Sequence, residues 1–266
     1  MMRKIWILVR KEWAEVFKNR FVLFTTAFLP LLFAVLPLVI MYATGNYASD
    51  INDLASTSDV PPEFMELCVG LDGSGCMQYF LVSQFMLLFM MVPMIIPVTF
   101  ASYSIVGEKS TRTLEPLLAT PIKTIELLTG KALAATIPAV LATWLSFLIF
   151  AIGAFILATS PGVVGKILDA LWLTAIIVVG PLLAIFGVTI AVMISSRVND
   201  PRVAEQVSAL FVLPLVGLFV AQSLGLIYLN AQLILWMAVI LIVLDTGMFA
   251  FATQLFQRET ILTRWK

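Results

Sequence analysis

Six long apolar runs constrain this chain more than any other feature of its sequence. The runs cover residues 21–43, 79–104, 130–158, 170–194, 207–229 and 232–252. Each run reaches the roughly 20 residues that an α-helix needs to cross a bilayer. Only 12% of the 266 residues are charged, whereas a soluble globular protein has about 25%. The sequence therefore predicts an all-α, polytopic membrane protein with six transmembrane helices, organised as a single domain over residues 1–266.

Lysine and arginine are distributed unevenly among the segments that flank these runs. Of the 16 basic residues, all but Lys166 fall in the segments 3–20, 105–131, 195–206 and 258–266. Basic residues accumulate on the cytoplasmic side of membrane proteins. We therefore expect these four segments, and with them both termini, to be cytoplasmic. The net charge of zero gives no reason to expect a nucleic-acid partner.

The N-terminal segment 1–20 reads as an amphipathic helix rather than a span. One face carries six apolar residues and the other carries mostly charged ones, although Ile7 and Leu8 break the pattern. The pattern predicts a helix in the cytoplasmic interface, with Trp6 and Trp13 among lipid chains and Lys11 at the headgroups. A helix packed on a soluble partner remains the alternative. The apolar face is Ile5, Trp6, Val9, Trp13, Val16 and Phe17, and the polar face is Lys4, Lys11, Glu15, Lys18 and Asn19.

Residues 44–78 are predicted to form an acidic external loop. It contains six acidic residues and neither lysine nor arginine, which is either simple charge asymmetry or a mouth that attracts cations. Cys68 and Cys76 lie in this loop, and their position on the oxidising side is compatible with a local structural disulfide. Because the chain has no histidine and only these two cysteines, no metal site of the usual zinc type is expected.

No nucleotide-binding loop of the form G-x-x-x-x-G-K-[ST] is present. The two Gly-Lys pairs, Gly130-Lys131 and Gly165-Lys166, lack both the preceding glycine and the following serine or threonine. We therefore expect the chain to be no enzyme by itself and to hold no cofactor. Any ATP must then be hydrolysed by another subunit.

One ionisable residue, Asp245, stands out within the apolar runs. Intramembrane acids mark ion paths or sites that face the interior of a helix bundle. The other interpretation is a protonated or hydrogen-bonded acid that fixes helix packing, for example against Thr246. An ATP-independent channel or ion-coupled carrier built on Asp245 is accordingly the alternative function.

The stretch 105–128 is a charged segment between the second and third runs. Leu114, Leu117 and Leu118 share one face of a short helix, with Thr111 or Thr113 as candidate N-cap. Thr120-Pro121 is typical of the start of a second helix, which we expect to be continuous with the third span. A short apolar helix face suits docking in the groove of another protein, and a surface helix on lipid headgroups is the alternative.

This segment resembles the cytoplasmic signature of ABC-2-type transporter permeases. The run "GEKSTRTLEPLLATPI" at 107–122 follows the family pattern, and "RKEW" at 10–13 matches the entry of the N-terminal helix. Arg112 departs from the pattern, because relatives often have glycine there. The positions that match are Glu108, Lys109, Thr113, Leu114, Glu115, Leu117, Leu118, Thr120 and Pro121.

The resemblance implies a transmembrane subunit of an ATP-driven exporter in a prokaryotic plasma (inner) membrane. It implies two copies of an ABC ATP-binding subunit, which bind ATP and Mg, and a second permease copy or paralogue. Residues 1–20 would be the elbow helix, and residues 108–121, including Arg112, would carry the coupling helix that docks on the ATPase. Family substrates are diverse, so the resemblance predicts none in particular.

Overall fold

The computed structural model describes residues 2–18, 20–46, 68–110 and 123–255. Within these ranges every regular element is helical, and six helical segments are long and apolar enough to cross a membrane. The prediction of an all-α protein with six membrane spans is confirmed. The spans are Thr26–Gly45, Gly73–Glu108, Ile125–Leu157, Pro161–Ser195, Pro201–Ser223 and Ala231–Gln254.

Ten α-helices make up the described part of the chain. They are α1 (Met2–Val16), α2 (Arg20–Asn46), α3 (Gly73–Ser110), α4 (Thr124–Leu157), α5 (Pro161–Ile167), α6 (Ala170–Thr174), α7 (Gly180–Ser195), α8 (Pro201–Ala209), α9 (Leu213–Ser223) and α10 (Ala231–Leu255). A π-helical turn, Ala175–Val179, joins α6 to α7, and a 3₁₀ turn, Leu210–Val212, joins α8 to α9.

The second and fourth spans form the centre of the bundle. In its most apolar window α3 is 78% buried and the fourth span is 61% buried, whereas the other four spans are 22–28% buried. The two central helices α3 and α7 approach closely at Gly187, where a Cβ atom would lie 2.7 Å from the Met94 carbonyl oxygen. Small residues permit such close approach of membrane helices.

We call the end of the bundle that carries α1 the α1 end, and the opposite end, with Cys68 and Cys76, the disulfide end.

A π-helical turn inside the fourth span explains the position of Trp144. The Gly180 N–H bonds to the Ala175 carbonyl oxygen, five residues back, and Pro181 has no N–H to donate. The Ile176 carbonyl is thereby released from the regular helical pattern, and the Trp144 indole N–H donates to it at 3.2 Å. A carbonyl freed inside a membrane needs such a partner, so this tryptophan has a definite role in the third span.

The fifth span begins earlier and ends earlier than the predicted 207–229. Its helix starts at Pro201, because the Asp200 side chain accepts a hydrogen bond from the Arg202 N–H and caps the N-terminus. Pro214 cannot donate to the Leu210 carbonyl, and the chain tightens into the 3₁₀ turn there. The helix then ends at Ser223.

The two predicted loops are both shortened by the helices that flank them. Helix α2 runs to Asn46 and α3 begins at Gly73, so both ends of the acidic loop 44–78 are helical. Helix α3 likewise continues into the segment 105–128 as far as Ser110. Residues 47–67 and 111–122 lie outside the described residues.

The third span does not continue a helix that starts at Pro121, and that prediction is wrong. Lys123 has an extended backbone (φ −73°, ψ 146°), and the helix α4 begins only at Thr124. The Glu126 carboxylate accepts a hydrogen bond from the Lys123 N–H at 3.0 Å, which satisfies a donor at the helix start.

At the disulfide end, one buried glutamine joins three spans. The Gln78 Nε2 on α3 lies 3.1 Å from the Met41 carbonyl oxygen, 3.3 Å from Thr44 Oγ1 and 3.3 Å from the Leu157 carbonyl oxygen. Its Oε1 accepts from the N–H and the hydroxyl of Thr159. Nearby, the structure joins Cys68 to Cys76 in a disulfide with a Cα–Cα distance of 5.3 Å. The first three spans are thus held together by a neutral hydrogen-bond network.

Replacement of this glutamine is expected to destabilise the protein. In Gln78→Leu the buried carbonyl and N–H partners lose their hydrogen bonds, at about 1–3 kcal/mol for each group left unsatisfied. The thermal unfolding midpoint of the variant in detergent should fall clearly below that of the wild type. Gln206→Leu, at an exposed position of α8, is the matched control, and equal midpoints for the two variants would contradict the role of Gln78.

Candidate functional site

Helix α1 buries one face against the bundle. Its buried residues are Ile5, Leu8, Val9, Glu12 and Val16, at the i, i+3, i+4 spacing of one helix face. This face differs from the predicted apolar face. Leu8 belongs to it instead of breaking it. Trp6 is 48% exposed, because α1 packs mainly on α4 and Trp6 lies at the edge of the packed face.

A glycine on α4 allows α1 to lie close. A Cβ atom at Gly130 would be 3.0 Å from the Leu8 Cβ, which is tighter than an ordinary contact. Further along, the Trp13 indole N–H donates to the Ala134 carbonyl oxygen at 2.8 Å. Trp6 packs edge-on against Trp13 with ring centroids 5.8 Å apart.

Next to this contact, Lys131 forms the centre of a buried group of charges. Its ammonium nitrogen on α4 lies 2.8 Å from Glu12 Oε1 on α1 and 2.8 Å from Glu108 Oε2 on α3. It also donates to the Ser104 hydroxyl at 2.7 Å. Lys131 thus joins three helices through hydrogen bonds to Glu12 and Ser104 and an ion pair with Glu108.

A second lysine closes the group on its more exposed side. Lys11 pairs with Glu108 and lies 3.6 Å from Glu12 and 3.2 Å from Glu15. The Ser104 hydroxyl donates to the second oxygen of Glu12. Two lysines thus balance the two buried glutamates. We call these five residues the α1 cluster: Lys11, Glu12, Ser104, Glu108 and Lys131.

The α1 cluster shifts the pKa values of both α1 residues in favour of their charged forms. Burial alone would raise the pKa of Glu12, but the charge of Lys131 and the hydrogen bonds from Lys131 and Ser104 hold it below the usual 4.5. Burial alone would lower the pKa of Lys11, but the hydrogen bond and charge of Glu108 hold it above the usual 10.5. Both groups are therefore ionised at neutral pH.

Comparison with known proteins agrees with this architecture. A family model described as ABC-2 family transporter protein matches residues 6–243. The chain belongs to this family. It is a multi-pass membrane permease of an ABC transporter, a class that works in general with an ABC ATP-binding subunit. No curated protein matches the chain.

The structure brings together only some of the residues that the sequence assigns to this permease. Lys11 and Glu108 meet in the α1 cluster, Cys68 and Cys76 are bonded, and Asp245 is buried on α10. Lys109 lies in the last turn of α3, but its side chain is outside the described residues. The predicted coupling residues Arg112, Thr113, Leu114, Glu115, Leu117, Leu118 and Pro121 are also outside them, so a coupling helix stays a prediction, as does the interfacial position of α1.

Sequence reasoning missed Glu12, Ser104 and Lys131. Two signals pointed to them. Glu12 is a charge on the apolar face of α1, and Lys131 lies within the apolar run 130–158. A charge placed in apolar surroundings needs an opposite charge, and the two residues are each other's partners. The permease therefore holds α1 by an ion pair between two residues that lie 119 positions apart in the sequence.

Removal of the central lysine is expected to release α1. In Lys131→Met two buried glutamates remain with one lysine, and breaking a buried ion pair costs about 3–5 kcal/mol. A spin label at Ala14→Cys reports the change, because Ala14 is exposed and the native cysteines are bonded to each other. We expect a strong gain in label mobility. Lys18→Met, at an exposed site in the turn after α1, should leave the label unchanged, and similar spectra for both variants would contradict the role of Lys131 in holding α1.

The docking of α1 on the bundle is also expected to weaken at both strongly acidic and strongly alkaline pH. The contribution of Glu12, whose pKa is lowered, is present above its unfolded value of 4.5 and is lost as pH falls through the lower folded value. The contribution of Lys11, whose pKa is raised, is present below 10.5 and is lost as pH rises through the higher folded value. The label at Ala14→Cys should be immobile between these limits and mobile beyond both. A mobile label at neutral pH would contradict the assignment.

Proposed function

We propose that this chain is the transmembrane subunit of an ATP-driven exporter, and that the α1 cluster passes movement from the ATP-binding subunit into the membrane domain. The observation that carries the proposal is that residues of the cluster lie on both helices that flank the segment 111–122. Glu108 lies in the last turn of α3 before this segment, and Lys131 lies about two turns into α4 after it. The helices on either side of the segment are joined through one ion pair.

The cluster has the mechanical properties that such a transfer needs. Separation of buried ion pairs is costly, so α1 and the adjacent ends of α3 and α4 move together when the segment 111–122 is pushed. Helix α3 is the most buried span and packs along α7. A displacement applied at the α1 end therefore reaches the centre of the bundle instead of being absorbed at its periphery.

Within the segment we assign docking and anchoring to different residues. Leu114, Leu117 and Leu118 form the apolar face that enters a groove of the ATP-binding subunit. Lys109, Arg112, Thr113, Glu115 and Pro121 shape and flank that helix. Glu108, which the family pattern groups with them, is 6% exposed and paired with two lysines, and its proposed role is to anchor the segment internally.

The proposal includes the assembly around the chain. Two ATP-binding subunits hold ATP and Mg beneath a pair of permeases, which consists of two copies of this chain or of this chain and a paralogue. The complex lies in a prokaryotic plasma membrane with both termini cytoplasmic, and α1 lies at the lipid interface. The uneven distribution of basic residues supports this orientation, and the exposed Trp6, Ile7 and Arg10 on α1 suit contact with lipid headgroups.

The docking face is tested by a charge placed on it. In the complex with its ATP-binding subunit, Leu117→Asp should weaken association by about 2 kcal/mol or more, roughly 30-fold in Kd, and abolish ATP-dependent transport. Val69→Asp is the matched control, because Val69 is 74% exposed at the disulfide end and should affect neither quantity. Titration of the ATP-binding subunit onto the permease in nanodiscs measures the affinity.

Two results would count against the proposal. Equal affinity for Leu117→Asp and the wild type would show that this face does not dock. Transport by the purified chain without ATP, lost in Asp245→Asn, would favour the ATP-independent carrier instead. The label at Ala14→Cys shows whether each variant retains its docked α1.

A further inference from the structure

Asp245 lies on the packed face of α10. The buried positions of this helix include Ile234, Ala238, Leu241, Asp245 and Ala252, which follow one side of the helix. Asp245 is 7% exposed, and neither of its carboxyl oxygens has a hydrogen-bond partner among the residues that the structure describes. At about 1.5 Å per residue it lies roughly 21 Å from the start of α10 at Ala231, well inside the span.

Within the described part of the chain, the helices with the most extensive contacts to α10 offer this carboxyl group no free counter-charge. Helix α10 packs mainly on α7 and on the π-helical turn, with smaller contacts to α4 and α6. The residues of α7, the π-helical turn and α6 include no charged or titratable side chain, and α10 itself has only Asp245. Helix α4 carries Glu126 and Lys131, of which Lys131 is committed to the α1 cluster.

Neutral groups nearby do not satisfy the carboxyl group either. The hydroxyl of Thr246, the neighbour that the sequence suggested, bonds to the carbonyl oxygens of Ile242 and Val243 on its own helix. One turn further along α10, Phe249 and Ala252 line a cavity of about 10 Å³ between α4, α7 and α10. Its single hydroxyl, Thr189, donates to the Ile185 carbonyl oxygen. A buried water needs two to four polar partners, which this lining does not supply.

An ionised carboxylate in such a position would be very unfavourable. An unpaired charge in an apolar interior costs far more than a neutral polar group without a hydrogen bond, for which the cost is about 2–7 kcal/mol. We propose that Asp245 is a proton-binding site: its carboxyl group is a neutral acid while α10 packs on α7, and it releases the proton when α10 moves away and the side chain reaches water. This inference does not depend on ATP coupling or on the docking of a partner.

The proposal links a proton to the packing of one span. Separation of α10 from α7 exposes the carboxyl group and permits its ionisation, so high pH favours the separated state. Asn has the shape of the neutral acid and cannot ionise, and Asp245→Asn should therefore hold α10 in the packed state at any pH.

Infrared difference spectroscopy on the full chain in lipid nanodiscs tests the protonation state. The spectrum of Asp245→Asn is subtracted from that of the wild type at neutral pH, with Asp245→Leu as a second subtraction partner in case one variant folds poorly. The expected difference is the C=O stretch of a protonated carboxylic acid. A carboxylate stretch in its place would overturn the proposal.

Thermal unfolding in the same nanodiscs tests the link to packing. The wild type and Asp245→Asn should unfold at similar temperatures at acidic pH, and the wild type should fall progressively below the variant as pH rises. Asp169→Asn is the matched control, because Asp169 is exposed and caps α6 through the Ala170 N–H, a bond that Asn can also accept. A wild-type curve parallel to that of Asp245→Asn over the whole pH range would overturn the link.

Discussion

An ionised group inside a membrane protein must meet an opposite charge, and Lys131 satisfies this constraint for three helices at once. Its ammonium group donates hydrogen bonds to Glu12 on α1 and Ser104 on α3, and it forms an ion pair with Glu108 on α3. Because Lys131 belongs to α4, the loss of one ammonium group would leave charge uncompensated on two other elements. The neighbouring Gly130 admits Leu8 at van der Waals range, so the apolar contact and the ion pairs depend on the same turn of α4.

The two ends of the bundle are joined by different chemistry. At the α1 end the connections are charged, and at the disulfide end Gln78 makes neutral hydrogen bonds to the ends of α2 and α4. Neutral bonds are insensitive to pH near neutrality, and the ion pairs are stable over the range in which both partners stay ionised. The first three spans and α1 are therefore one unit under ordinary conditions, held at both ends.

Apolar run length predicted the number and type of the spans well, because the bilayer imposes that length directly. Boundaries were less predictable. The cap at Asp200 and Pro201 lies outside the apolar run, and Lys123, whose N–H bonds to the Glu126 carboxylate, is extended and not helical. The sequence marks Glu12 and Lys131 as charges in apolar surroundings, but their pairing could not be predicted from it, because they meet only through the packing of α1 on α4. The role of Trp144 depends likewise on a carbonyl that a π-helical turn releases.

The α1 cluster and Asp245 solve the same electrostatic problem in opposite ways. The cluster carries its own neutralising charges, so α1, α3 and α4 can move together without exposing an unpaired ion. Among the described residues, Asp245 has no hydrogen-bond partner and the helix α7 against which α10 packs has no charged side chain, so its proposed neutrality requires a proton from outside the protein. Near neutral pH, movement within the first unit therefore needs no change of protonation, whereas the proposed separation of α10 from α7 does. A membrane domain built in this way would couple to protons only in the part of its cycle that displaces α10.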